Sequence, residues 1–309
     1  MVIVFGSANL DLVARVARLP RPGETLSGLD FAMLPGGKGA NQALAARRSG
    51  AEVMFVGAVG DDPFAAMALA GLAAAGVGLA AVRRIAVPTG VALIHVDATG
   101  ENCITVVAGA NAHADPEAIP DTALGSDATL VLQLEVPLPA VEAAAVRARR
   151  RGARVILNAA PVQALPAGLL AAIDVLVVNE HEARTIAAAL GLPPAPQAFA
   201  GEFHRRLGKA AVVTLGALGV VAAAAGACYA GPAPAVAAVA TTGAGDAFTG
   251  ALAAALDRGA AWPRALATGL AAGSLACTAH GAQAALPDAA AVNALAEAVQ
   301  PIVATDALG

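Results

Sequence analysis

Cysteine is scarce in this chain and follows no pattern. Cys103, Cys228 and Cys277 stand alone, odd in number, with no C-x-x-C or metal-ligand spacing, which argues against a disulfide framework or structural zinc and for a reducing cytoplasm. Charge is thin too, at 14% of residues, with 19 basic against 23 acidic side chains for a net −4. Basic residues cluster only over 147–154, at what reads as the polar end of a helix, so nucleic acid is not an expected partner. Mean hydropathy is high, +0.68, and no charged residue falls between Lys209 and Asp246. Yet Gly216, Gly219, Gly226, Gly231, Pro232 and Pro234 cut that run into pieces shorter than the ~20 residues a bilayer span requires. Short buried strands account for it, and no membrane partner is expected. The first six residues lack the basic segment and long apolar stretch of a secretory signal and read as a first strand.

At 309 residues the chain could form one large domain or two, and one α/β domain with a small appendage is the preferred reading. It is organised around Thr241-Thr242-Gly243-Ala244-Gly245-Asp246, where a glycine-rich loop turns into the apolar helical run that follows. The unpaired N–H groups at such a helix start attract anions. A carboxylate there repels phosphate, but it makes sense where a hydroxyl must lose its proton beside one. On these residues alone, Asp246 serves equally well as a first-turn acid on the helix dipole, with glycines for a tight turn.

Val2 to Gly6 reads as a buried strand opening into Ser7-Ala8-Asn9-Leu10-Asp11, with polar side chains where open α/β sheets bind ligands. Pro35-Gly36-Gly37-Lys38-Gly39-Ala40-Asn41-Gln42 leads into a helix but is no P-loop: Ala32 stands where the first Gly should be, and Gly39 follows the Lys. Three glycines with Lys38 and Asn41 suit close backbone approach to a small polyhydroxyl ligand. Asp62 and Pro63 start a helix running to about Ala75. Runs 90–96 and 103–108 read as a hairpin that joins the segment after Asp11 in a small separate sheet. From Thr129 the pattern alternates: strands at 129–134, 153–158, 175–178 and 210–215, helices at 138–151, 180–190 and 197–208, then strand-like runs at 220–229 and 235–240 and helices at 244–257, 263–279 and 288–299. The strand ends carry Gln133 and Glu135, Asn158, Asn179 and Glu182, and Thr214 and Gly216.

With these motifs together, and with Gly60-Asp61-Asp62, Gly100-Glu101-Asn102 and Asn179-Glu180-His181-Glu182, the chain resembles the ribokinase family of sugar and nucleoside kinases over nearly its whole length. The resemblance implies an open, mostly parallel α/β sheet with helices on both faces. A small β-sheet lid, from segments of about 11–35 and 90–110, would complete a single domain. It implies ATP-dependent phosphorylation of the primary 5-hydroxyl of a pentose, D-ribose first. By motif match Asp246 is the base, with the N–H groups of Gly243, Ala244 and Gly245 as its anion hole. Asn9, Asp11, Gly37, Lys38, Asn41 and Glu135 bind sugar, joined by Asp246. Asn179, Thr214, Gly216, Gly219 and Gly245 match nucleotide contacts, while Asn179 and Glu182 hold Mg²⁺ largely through water. A homodimer through the lid is expected.

Two departures refine these expectations. The family's K⁺ site takes two side-chain ligands, an Asp and a Ser, where this chain has Ala240 and Ala285. Backbone carbonyls of Thr242, Ala276, Ala279 and Gly281 would form only a partial cage, so weak or absent K⁺ activation is expected. One Trp, one Tyr and seven Phe make nine aromatic residues, none in the sugar-site motifs, which disfavours the alternative of a nucleoside kinase. A catalytically idle sugar sensor on the same fold is the other alternative, and the intact Gly243 to Asp246 stretch argues against it.

Overall fold

A computed structural model of the chain describes residues 1–299 and 302–305. The first strand, β1 (Val2–Phe5), lies inside a ten-stranded sheet rather than at its edge. It pairs in parallel with β4 (Val53–Gly60) on one side and with β8 (Thr129–Leu132) on the other, Val2 lying opposite both Val53 and Thr129. Beyond β8 follow β9 (Arg154–Asn158), β10 (Val175–Asn179) and β11 (Ala210–Thr214), all parallel. β12 (Val220–Ala224), β13 (Ala227–Gly231) and β14 (Val303–Thr305) then run antiparallel, and β5 (Val82–Ile85) closes the other edge beside β4. Because β1 has neighbours reached from opposite directions, its carboxyl end is a switch point of the kind where open α/β sheets hold ligands.

Both faces of the sheet are buried, and the two-residue period of a strand divides them. Val2 and Val4 pack into one apolar cluster with α1 (Lys38–Arg48), α7 (Ala244–Asp257) and α8 (Trp262–Ala276), while Ile3 and Phe5 pack into a second with α3 (Leu138–Arg150), α5 (Glu180–Leu190) and α6 (Pro196–Leu207). The remaining helices are α2 (Pro63–Ala74), α4 (Ala167–Ala172) and α9 (Ala289–Ala298). The richness in Ala and Gly lets helices approach closely: a Cβ on Gly250 of α7 would lie 2.5 Å from the Gln42 carbonyl of α1. Among the described residues no helix is long and apolar enough to cross a membrane.

A second sheet of four strands has the order β3-β2-β6-β7, from β3 (Asp30–Gly36), β2 (Asn9–Arg15), β6 (Gly90–Val96) and β7 (Asn102–Val107). Only three residues separate β1 from β2, so the chain steps from the large sheet to the small one at Gly6-Ser7-Ala8 and brings Asn9 and Asp11 to the junction. The hairpin turn between β6 and β7 is closed by Asp97, whose Oδ1 accepts from the Thr99 and Glu101 N–H groups at 2.8 and 3.1 Å.

Several elements differ from the sequence expectation. Residues 235–240 form no strand: Pro232 and Pro234 remove two donors just before them, and the N–H groups of Val239 and Ala240 both donate to the Cys277 carbonyl at the end of α8. The run 220–229 is two strands, broken at Ala225 and Gly226, both at positive φ. Strands β5 and β14 and helix α4 had no sequence signal long enough to mark them.

Candidate active site

Three chain segments meet at the carboxyl end of β1, and the first two are fastened by backbone contact. Gly37 caps α1 at φ 88°, and a Cβ there would stand 2.8 Å from the Asn9 nitrogen. Only Gly satisfies both the left-handed backbone and the close approach. The Ala40 N–H donates to the Ser7 carbonyl at 2.8 Å, and Ser7 Oγ donates to Glu135 Oε2 at 2.6 Å. That same carboxylate oxygen accepts the Lys38 N–H at 2.9 Å. Glu135, projecting from beyond β8, therefore caps a helix whose own N-cap has no side chain.

The third segment is the start of α7. Gly243 sits at φ 84°, and a Cβ on it would collide with Ala282 Cα at 2.9 Å. The Ala244 N–H donates to the Thr241 carbonyl at 3.2 Å, while a Cβ built on Gly245 would meet nothing within 4 Å. That side of the helix start is open to a ligand. Asp246 follows in the first turn, only 6% exposed. Asn41 Nδ2 donates to its Oδ2 and Gln42 Nε2 to its Oδ1, each at 2.9 Å. Gln42 Nε2 also donates to Asn158 Oδ1 at 2.9 Å, Gln133 Nε2 donates to Gln42 Oε1 at 2.7 Å, and Asn158 Nδ2 donates to the Val177 carbonyl at 3.2 Å.

The charged residues singled out in the early motifs act on one another. Burial lifts the Asp11 carboxyl to about 6, helped by the negative charges of Glu135 and Asp246. Asp246 holds the Lys38 ammonium above its usual range, against the effect of burial and with help from Glu135 and Glu182. Asn9 Oδ1 accepts from Asn111 Nδ2 at 2.7 Å, and Asn111 Oδ1 accepts the Ala8 N–H at 2.9 Å. The structure thus gathers Asn9, Asp11, Gly37, Lys38, Asn41 and Glu135 around Asp246. One buried atom in this group, Asn41 Oδ1, has no hydrogen-bond partner.

A cleft of about 230 Å³ opens from Asp246 and Gly245 across the ends of β9, β10 and β11, with Lys38, Asn179, Glu182 and Thr214 in its lining. Its lining contains no aromatic ring. Gly216 and Gly219 lie outside it: Gly216 is exposed, and Gly219 is buried against β13, where a Cβ would strike the Gly231 carbonyl. Asn179 and Glu182 form a reciprocal capping box at the start of α5, Glu182 Oε2 accepting the Asn179 N–H at 2.8 Å. Burial raises the Glu182 carboxyl; the Asn179 N–H and Lys38 oppose the shift, and Asp246 adds to it. A larger depression beside α3, about 660 Å³, is lined by Arg147, Arg150 and Arg151, of which Arg147 and Arg151 both pair with Asp121.

Sequence reasoning marked Gln133 and Asn158 only as polar strand-end residues without a specific role and gave none to Gln42 or Asn111, and all four are buried here. The available signal was a polar residue at the end of an apolar strand or in the first turn of a helix, which by itself reads as a cap.

Residues 1–289 match the pfkB family of carbohydrate kinases. A ribokinase from Haemophilus influenzae is 35% identical over 291 residues, 92% of this chain and 94% of its own length. Among solved structures, the ribokinase of Thermotoga maritima superposes with a TM-score of 0.88 at 33% identity, covering 96% of this chain and 99% of its own. The Arabidopsis thaliana ribokinase complexed with ribose and ATP gives 0.87 at 33%, covering 96% and 98%.

Proposed function

The chain belongs to the pfkB family of carbohydrate kinases, and on that premise we propose that it transfers the γ-phosphoryl group of ATP to the 5-hydroxyl of D-ribose, forming ribose 5-phosphate. The observation that carries this reading is the site itself. A buried carboxylate at a helix start adjoins an open helix N-terminus on one side and a cluster of carboxylates and amides on the other. Phosphoryl transfer asks mainly for alignment and charge neutralisation. In this reading Asp246 accepts the proton of the attacking hydroxyl, and the N–H groups of Gly243 and Gly245, with that of Ala244 once it leaves the Thr241 carbonyl, take the transferring phosphoryl oxygens.

Asn9, Asp11, Gly37, Lys38, Asn41 and Glu135 hold the sugar. The unpartnered Asn41 Oδ1 supports this, because a buried acceptor without a donor costs ~1–3 kcal/mol until a ligand hydroxyl reaches it. The cleft at Asn179, Thr214 and Gly245 would take the nucleotide, with Gly216 and Gly219 shaping the strand-to-strand turn at its border. Among the described residues no three acidic, His or Cys side chains cluster as a metal cage. Glu182 is buried and gives one carboxylate oxygen to the Asn179 N–H, and its other oxygen beside Asn179 fits an ion such as Mg²⁺ that keeps most of its waters. Bound there, Mg²⁺ would neutralise charge on the phosphates.

The apolar side chains left on the small sheet, with Phe31 59%, Ile104 51% and Val106 55% exposed, support a homodimer through that sheet as a lid over the sugar. Light scattering of wild type and Ile104→Asp tests it: both monomeric at micromolar concentration contradicts the dimer. The reaction itself is tested by ADP release over a panel of pentoses, hexoses and nucleosides. D-ribose is expected to give the highest kcat/KM. Preference for a nucleoside or hexose contradicts the substrate, and no turnover with any acceptor points to the sugar-sensor alternative.

A further inference from the structure

The hydrogen bonds behind Asp246 have a direction. An amide group has one end that only donates and one that only accepts, so a chain of amides is oriented by whichever member faces a group of fixed polarity. Here that group is the Val177 carbonyl of β10. It can only accept, so Asn158 turns Nδ2 toward it, at 3.2 Å. Asn158 Oδ1 therefore faces Gln42 and must receive a proton from Gln42 Nε2, 2.9 Å away. The second proton on that nitrogen points at Asp246 Oδ1, also at 2.9 Å. Gln133 closes the arrangement from the other end, donating to Gln42 Oε1 at 2.7 Å. Reversing Gln42 would set its oxygen against two oxygens, Asn158 Oδ1 and Asp246 Oδ1, whereas Gln133, whose own Oε1 is buried without a partner, holds Gln42 in place but does not choose its direction.

Gln42 and Gln133 are fully buried, and Asn158 is 8% exposed. Apart from a hydroxyl or thiol, a fully buried glutamine is an unusual choice for filling space between α1 and the sheet, since each unpaired polar atom there costs ~1–3 kcal/mol. We propose that Gln42, oriented by Asn158 and held by Gln133, is a positioning residue that aims Asp246 at the sugar hydroxyl. The Val177 carbonyl, two amides away, sets the direction of its donor. With Asn41 Nδ2 on Oδ2 and Gln42 on Oδ1, both oxygens of Asp246 are held from the protein side. The carboxylate can neither swing about its χ angles nor turn a wrong edge to the substrate. This assignment rests on the reading of Asp246 as the proton acceptor.

A double-mutant cycle separates positioning from mere structure. Gln42→Met, similar in volume and without the donor, is expected to lower kcat about tenfold or more while KM for ribose and for ATP stays within about threefold. In an Asp246→Asn background the same substitution is expected to change the residual kcat less than about twofold, because there is no proton acceptor left to aim. An equal fall in both backgrounds would overturn the assignment. Should Gln42→Met melt below the assay temperature, Gln133→Met serves instead, since Gln133 donates to Gln42 and not to Asp246. It is expected to lower kcat about threefold or more in the wild type alone, and an unchanged kcat would overturn the proposal. Near-normal turnover of Asp246→Asn by itself would remove the premise, a result distinct from either of these.

Discussion

The carboxylate of Asp11 occupies the space where Gly36 would carry a side chain: a Cβ built on Gly36 lies 2.4 Å from Asp11 Oδ2 and 2.5 Å from Oδ1. The two residues are diagonal neighbours across the β2–β3 pairing, Asp11 lying opposite Leu34 and Gly36 opposite Asn9. Gly36→Ala therefore displaces the Asp11 carboxylate without touching the nucleotide cleft. Overpacking of this kind costs ~1–3 kcal/mol, so ribose KM is expected to rise by about fivefold or more with ATP KM unchanged. Equal increases for both substrates, measured by steady-state kinetics, would place Asp11 outside the sugar site.

Asp11 also gives the enzyme a pH signature. Its carboxyl stands near 6 because burial, then Glu135 and Asp246, disfavour its charge. As an acceptor of sugar hydroxyls it works when ionised, so ribose affinity should weaken as pH falls through about 6. The linkage to stability runs the other way. A folded-state value above the unfolded one contributes stability below about 4, and that contribution is lost as pH rises through 6. Asp11→Asn is therefore expected to raise Tm at pH 8 relative to wild type more than at pH 4.5, while weakening ribose binding at pH 8 by ~1–3 kcal/mol. Calorimetry and thermal melts at the two pH values check this, and a Tm difference independent of pH would contradict it.

The parallel alternation after Thr129, the hairpin of β6 and β7 and the helix at Gly243 were legible because each shows its own period or turn chemistry over enough residues. Asp246, Lys38 and Glu135 were legible because charged residues in glycine-rich or strand-end positions are conspicuous in a chain so poor in charge. Gln42, Asn158 and Asn111 were not. An amide in a helix or at a strand end looks like any cap until the fold shows that Gln42 of α1 links Asn158 of β9 to the Asp246 carboxylate. The 235–240 run misled for a related reason. Its apolar residues suit a strand, but the donors of Val239 and Ala240 are taken by Cys277, a partner distant in sequence.

The same contact bears on the cation. With Ala240 and Ala285 in place of oxygen-bearing side chains, the loop before α7 is tied instead by the two bonds to the Cys277 carbonyl, and the Gly281 carbonyl accepts the Ala285 N–H at 3.0 Å. Exposed His280 directly precedes Gly281 in sequence and has no part in these bonds. Turnover in Tris buffer is expected to change less than about twofold on adding KCl, because the charged ligand a hard cation prefers is missing. A rise of about tenfold at millimolar K⁺ would show that backbone carbonyls suffice.

The central claim is that Asp246 accepts the proton of the attacking hydroxyl, and Asp246→Asn tests it most directly. The substitution keeps the size of the side chain, and the amide can still accept from Asn41 or Gln42 through its oxygen. Single-turnover phosphorylation of ribose at saturating ATP, with ribose binding measured separately by calorimetry, is expected to show a rate at least ~10²-fold below wild type and a Kd for ribose nearly unchanged. A rate within a few fold of wild type would contradict the assignment.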